Sequence, residues 1–198
     1  MLKRIINSII AFFTGRCLLS YNELVELVNA GVINAPIENI NGSSIDLTLH
    51  HIIRKEVIGP AMHIVRLYKG ESIETEDIDM LNDRYKEYVM MPDAVILGAT
   101  VERFNLPLNI SAEFSLKSTL GRNFLGHELA GWIDPGFEGT ITLELKNNCQ
   151  FHKLAIAPYQ KIGQVKFFRH RKVPFQHSYA AKGQYMNQDK VTPSKGIK

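Results

Sequence analysis

Two short stretches hold the residues able to do chemistry. The first is 131–147, "GWIDPGFEGTITLELKN", in which an Asp-Pro-Gly turn sets Asp134 at its mouth and a second turn at Glu138-Gly139 leads into a clean alternation. Thr140, Thr142, Glu144 and Lys146 fall on one side of a period-two strand, and Ile141, Leu143 and Leu145 on the other. A glutamate in mid-strand is either part of a solvated sheet face or a carboxylate held for acid–base work, and the stretch alone leaves both readings open. The second, "LKSTLGRN" at 116–123, gathers the cations Lys117 and Arg122, the hydroxyls of Ser118 and Thr119, and a bend at Gly121. Charged donors and freely turning amides suit a polyphosphate, and they suit a plain polar turn equally.

Other chemistries lack their residues. Zinc nucleobase deaminases need an H-x-E with a P-C-x-x-C ligand pair. "GHELAG" at 126–131 is neither H-x-E nor H-E-x-x-H, and Cys17 and Cys149 stand far apart. His50 and His51 are adjacent on an expected strand, so their side chains should point to opposite faces and make a poor metal pair. Walker A, G-x-G-x-x-G and G-x-S-x-G sequences are absent.

The elements that must position these residues are mostly short strands. A chain of 198 residues, 45% hydrophobic and 22% charged, has room for one sizeable core. "SYNELVELVNAG" at 20–31 reads as a helix, with Ser20 and Glu23 as a capping box and Gly31 as its stop. The runs "SSIDLTLHHIIRKEV", "YVMMPDAVILGATVERFNLP", "ISAEFSLKS", "GTITLELKN" and "KIGQVKFFRH" read as strands between Gly, Pro and Asn turns. An all-β barrel or double-sheet body follows. Residues 69–86 look like a charged surface excursion, and the polar stretch from His177 to Lys198 shows no core pattern, as expected of a disordered tail or a flap.

The net charge of +3 is spread along the chain, which argues against nucleic acid and allows a small anionic ligand. Two isolated cysteines suit a reduced, cytoplasmic setting. No apolar run approaches the ~20 residues of a membrane span, so no membrane is expected. "MLKRIINSIIAFFTGR" at the start lacks the long apolar core and cleavage site of a secretory signal, and reads as a short amphipathic helix against this protein or a partner subunit.

Taken in order, KSTLGR, I-D-P-G-F-x-G and T-L-E-L-x-N resemble the dCTP deaminase family of the dUTPase-like superfamily. The resemblance extends to "LLSYNELVELVNAGVI…INGSSIDLTL", to the run leading into KSTLGR, to "YQKIGQVKFF" and to the closing "HSYAAKGQYMNQDKVTPSK", about residues 17–195 in all. It implies a mainly β, dUTPase-like distorted β-barrel or jelly roll with a short N-terminal helix. Its divisions are an extension at 1–16, a β domain at 17–176 and a tail or lid over the nucleotide at 177–198. It also implies a homotrimer with interfacial sites, dCTP and dUTP as ligands with dTTP as an inhibitor, Mg2+ bound through the triphosphate, and no zinc.

Carried over by the same resemblance, Lys117, Ser118, Thr119, Leu120, Gly121 and Arg122 form the phosphate loop, with Ser118 and Arg122 also holding the reacting water. Asp134 accepts the deoxyribose 3′-hydroxyl, and Phe137 leaves no room for a 2′-hydroxyl. Ile141, Thr142, Leu143 and Glu144 present the pyrimidine-reading edge. Tyr179, Gln184 and Gln188 close from the tail. Glu144 is then the proton shuttle, because cytosine C4 is a poor electrophile and neutral water a poor nucleophile. The chain departs from the family pattern at Lys117, Thr119, Leu129 and Gln184, and Leu129 stands where the family often has a threonine. "AGWIDPGF" resembles members that also hydrolyse dUTP to dUMP. A plain deaminase, a plain dUTPase and a non-catalytic nucleotide-binding regulator remain the other readings.

Overall fold

The computed structural model describes residues 17–59, 64–128 and 131–196. The extension at 1–16 lies outside them, as does Leu129. Helix α1 (Tyr21–Asn29) begins as the capping box requires, with the Ser20 N–H donating to the Glu23 carboxylate at 3.1 Å. It buries Leu24 and Leu27 and stops at Gly31, whose φ of 72° is the left-handed value that ends helices.

The rest is mainly antiparallel sheet. One four-stranded sheet runs in the order β1 (Ile45–Thr48), β13 (Lys161–Arg169), β7 (Ile110–Leu116), β9 (Trp132–Ile133). A five-stranded sheet runs β3 (Thr75–Asp79), β2 (Ile52–Glu56), β5 (Val95–Ala99), β11 (Thr142–Asn147), β8 (Leu125–His127). Two short pairs complete the body, β10 (Glu138–Gly139) with β6 (Phe104–Asn105) and β12 (Leu154–Ile156) with β4 (Tyr88–Met90). Both large sheets feed one core: Ile45, Leu47, Phe114, Val165 and Phe167 come from the first, and Ile53, Ile96, Leu143 and Leu145 from the second. Their alternation in sequence is what lets one face of each strand reach that core while the other stays polar.

Three expectations change. The run 43–57 is two strands, parted at Leu49–His51, where the chain crosses from one sheet to the other. That bend brings the His50 and His51 rings together, stacked with centroids 4.4 Å apart, in place of the opposite faces expected of a continuous strand. Residues 69–86 are more than an excursion: β3 pairs along all of β2, and Met80 is fully buried. The tail also contributes to the packing, since Ser178 and Val191 are each 1% exposed and Tyr179 packs against the core. A polar stretch hides such isolated anchors because a single valine makes no period. Among the described residues no helix is long and apolar enough to cross a membrane.

Candidate active site

Strand β11 is the floor of the site. It pairs with β5 along Thr142–Lys146, while β8 covers it only from Leu145 to Asn147. On the β8 side the backbone of Ile141–Leu143 therefore has no strand partner among the described residues, and these residues line a cavity of about 400 Å³. Trp132, Asp134, Phe137, Glu144 and Tyr179 line the same cavity.

Glu144 is the group best suited to chemistry there. Its side chain is 30% exposed, and burial pushes its carboxyl above the ordinary carboxylate range, with the nearby Glu128 charge adding to the rise. The side chain of His127, 6% exposed, points Nε2 at Glu144 Oε2 across 3.5 Å. Neither atom has a hydrogen-bond partner among the described residues. Burial holds the imidazole below its usual pKa, so it stays neutral through neutral pH, and the Phe114 ring meets it edge-on at 4.8 Å. Sequence reading weighs the segment around His127 only as a metal motif. No sequence signal links His127 to Glu144; the pairing of β8 with β11 supplies the link.

Asp134 opens a tight turn. Pro135 supplies the first central position, Gly136 the second at φ 82°, and the Phe137 N–H closes it onto the Asp134 carbonyl at 3.2 Å. The turn presents the Asp134 carboxylate on the surface of the cavity and buries Phe137, 5% exposed, beneath it. Phe137 meets Tyr179 edge-on at 5.4 Å. Burial raises the Tyr179 phenol, whose oxygen accepts the Tyr185 N–H at 3.3 Å.

The tail crosses the cavity and is fastened on its far side. Gln188 bridges to Gly139, and its carbonyl accepts the Thr140 N–H at 2.8 Å. Gly139 sits at φ 135°, and a Cβ there would lie 2.9 Å from the Gln188 carbonyl oxygen. Only glycine meets both demands. Arg103 grips Asp189, Glu138 and Asn187 together, and the Thr192 N–H donates to Thr142 Oγ1 at 3.3 Å.

Asp134, Phe137, Thr142, Leu143, Glu144, Tyr179 and Gln188 thus share one cavity. The structure does not bring Lys117–Arg122 to it. That segment is a single helical turn, Ser118–Gly121, following β7, with Ser118, Thr119, Gly121 and Arg122 exposed and Leu120 packed against the core. Lys117 spends its ammonium on the buried Asp46, at 2.7 Å. Burial opposes that carboxylate's charge, yet hydrogen bonds from Lys117, Lys161 and Asn41 hold its pKa below the ordinary value. Gln184 lines a neighbouring hollow of about 410 Å³ with His177, Lys182 and the back of Asp134. Among the described residues no three His, Cys, Asp or Glu side chains are grouped to hold a metal ion.

Comparison with known proteins bears on this geometry. A family model described as dCTP deaminase-like matches residues 18–170. The protein from Corynebacterium jeikeium named "dCTP deaminase, dUMP-forming" is 32% identical over 185 residues, covering 90% of this chain and 96% of that one. Its namesake from Bifidobacterium longum is 35% identical over 186 residues, covering 90% and 93%. Among solved structures, the 2′-deoxycytidine 5′-triphosphate deaminase of Agrobacterium tumefaciens has a similar fold, at a TM-score of 0.61 and 16% identity, over 78% of this chain and 49% of that one.

Proposed function

The chain belongs to the dCTP deaminase-like family, and from that membership we propose that it is a hydrolase that converts dCTP to dUTP and carries the product on to dUMP and diphosphate. The observation that carries the reading is Glu144, a carboxylate with a raised pKa inside a cavity lined by the part of β11 that β8 leaves uncovered. Where β8 leaves β11 uncovered, the Thr142 backbone offers the N–H and C=O groups that read a pyrimidine edge, while those of Ile141 are taken by Thr100. Asp134 takes the 3′-hydroxyl, and Phe137 occupies the space a 2′-hydroxyl needs.

In the deamination, Glu144 removes a proton from water as the oxygen bonds to C4, and N3 receives a proton. Having passed that proton to N3, Glu144 takes the remaining hydroxyl proton and delivers it to N4, so that the C4–N4 bond breaks, ammonia leaves and C4 keeps a carbonyl. A raised pKa makes the carboxylate a stronger base toward water. In the second step water attacks the α-phosphorus and diphosphate leaves. Mg2+ arrives with the triphosphate as part of the substrate.

A homotrimer completes the site. Ser118 and Arg122 are exposed and lie away from the Glu144 cavity of their own chain, which supports their acting on the cavity of a neighbouring copy. There the hydroxyl and guanidinium hold the reacting water and the phosphates. Leu120 and Gly121 shape the loop, Thr119 adds a donor, and Lys117 anchors the loop through Asp46. Tyr179, Gln184 and Gln188 close over the triphosphate, and dTTP competes for the same cavity.

The deciding experiment incubates the protein with dCTP and Mg2+ and separates the products. Formation of dUMP is expected. Accumulation of dUTP alone, with added dUTP left intact, would reduce the protein to a simple deaminase. No turnover of either nucleotide would remove the enzyme reading.

A further inference from the structure

Strand β9 is only two residues long, and its pairing sets two side chains on one face. Trp132 lies opposite Glu113 of β7, and Ile133, 4% exposed, turns into the core. Period-two geometry then sends Trp132 and Asp134 out together, on the side away from Ile133. The indole Nε1–H donates to Asp134 Oδ1 at 3.1 Å. On its other side the indole stacks on Phe168 of β13, with centroids 6.0 Å apart and planes 28° from parallel. Trp132 is 59% exposed, yet it is held from two directions, and both it and Asp134 line the cavity.

We propose that Trp132 is a positioning residue for Asp134: its indole N–H holds one carboxylate oxygen and leaves the other turned to the sugar 3′-hydroxyl. This rests on the reading of Asp134 as the sugar-binding group. An aspartate at the mouth of a turn has a free χ1 and an exposed carboxylate, and each unproductive rotamer weakens binding before the substrate arrives. A donor fixed by stacking removes part of that freedom. A hydrogen bond to a charged acceptor is among the stronger kinds, and it needs the indole specifically, since phenylalanine keeps the ring contact and loses the N–H.

The test compares dCTP with its 2′,3′-dideoxy analogue, which lacks the hydroxyl Asp134 would bind, in wild type, Trp132→Phe and Asp134→Asn. Ammonia release gives kcat and KM for each. In Trp132→Phe the KM for dCTP is expected to rise about five-fold with kcat held within about two-fold, the pattern of lost uniform binding. The KM for the dideoxy analogue should stay unchanged, because the contact being positioned is already missing. Equal rises for both substrates would make Trp132 a merely structural residue, and no rise for either would leave the indole N–H without a role; both outcomes overturn the proposal. The underlying reading fails separately and visibly: wild type and Asp134→Asn would then treat the two nucleotides alike.

Discussion

The cavity floor and the Lys117–Arg122 turn, the two sets of groups on which the proposed reaction draws, are built in opposite ways. Glu144 is carried by a strand with neighbours on both sides, and its carboxyl is desolvated within one chain. Ser118 and Arg122 stand exposed at a single turn of helix anchored by the Lys117–Asp46 ion pair and by Leu120 against the core. A sheet can bury a carboxylate by flanking it, whereas a polar turn at the surface gains an enclosed environment only when another surface meets it. The difference teaches that one chain by itself encloses Glu144, whereas Ser118 and Arg122 stay exposed in it.

The most severe way to break the comparison is Glu144→Gln. It should leave assembly and nucleotide binding intact and cost at least ~10²-fold in deamination, the usual scale for a positioned acid–base group. Near-normal ammonia release from that variant would sink the role assigned to the cavity floor.

Mixing variants sharpens the contrast between the halves. Glu144→Gln and Arg122→Ala should each be nearly inactive alone. If each site takes Glu144 from one copy and Arg122 from another, random reassembly of an equal mixture restores about a quarter of wild-type activity, since each interface needs the right copy on both sides. A mixture as inactive as its parents would place both residues in the same copy's site.

The tail belongs to the cavity floor by its contacts and should matter most for the second hydrolysis. Deleting 177–198 should lower dUMP formation more than nucleotide binding, by excluding water less well. Arg103→Ala, which releases Asp189, Glu138 and Asn187, should reproduce that imbalance at about three- to ten-fold in the dUMP step. Equal losses in binding and dUMP formation would show a tail that only holds ligand.

The smallest expected effect is in pH. Burial raises the Glu144 pKa, so the ionised base is lost as pH falls through that raised value. The acid limb of kcat/KM should therefore lie above the ordinary glutamate range. Removing the tail opens the cavity and should move that limb down. Burial holds His127 below its usual pKa, and the Glu128 charge adds to the rise at Glu144. Within one chain the other titratable groups lining the cavity, Asp134, Tyr179 and Tyr185, offer no cation to oppose it. The one proposed group that would is an Arg122 supplied by another copy. An acid limb at the pKa of a free glutamate would show that the cavity does not desolvate Glu144.

Much of the architecture was legible because it repeats. Ile141, Leu143 and Leu145 alternate with Thr142 and Glu144, and the strand has that register. Ser20, Glu23 and Gly31 bounded the helix through local hydrogen bonds and a local φ. Asp134-Pro135-Gly136 is a turn in isolation and in the fold. Contacts between distant segments left no such trace. Nothing near His127 announces Glu144, and nothing near Arg103 announces Asp189, 86 residues away.

By itself, then, the order of residues determined the mainly β class, the turn at Asp134, the side of the strand Glu144 occupies and the family to which these motifs belong, because each rests on period, cap or turn chemistry within a few neighbours. Tertiary structure alone decided that β8 stops short and leaves Ile141–Leu143 open, that His127 faces Glu144, that the tail is fastened by Arg103 and Gly139, and that Lys117 is bound to Asp46. These depend on which strands become neighbours and where each pairing ends. That is settled by burying apolar faces against one another across the whole chain, a non-local cost that no short stretch of sequence encodes.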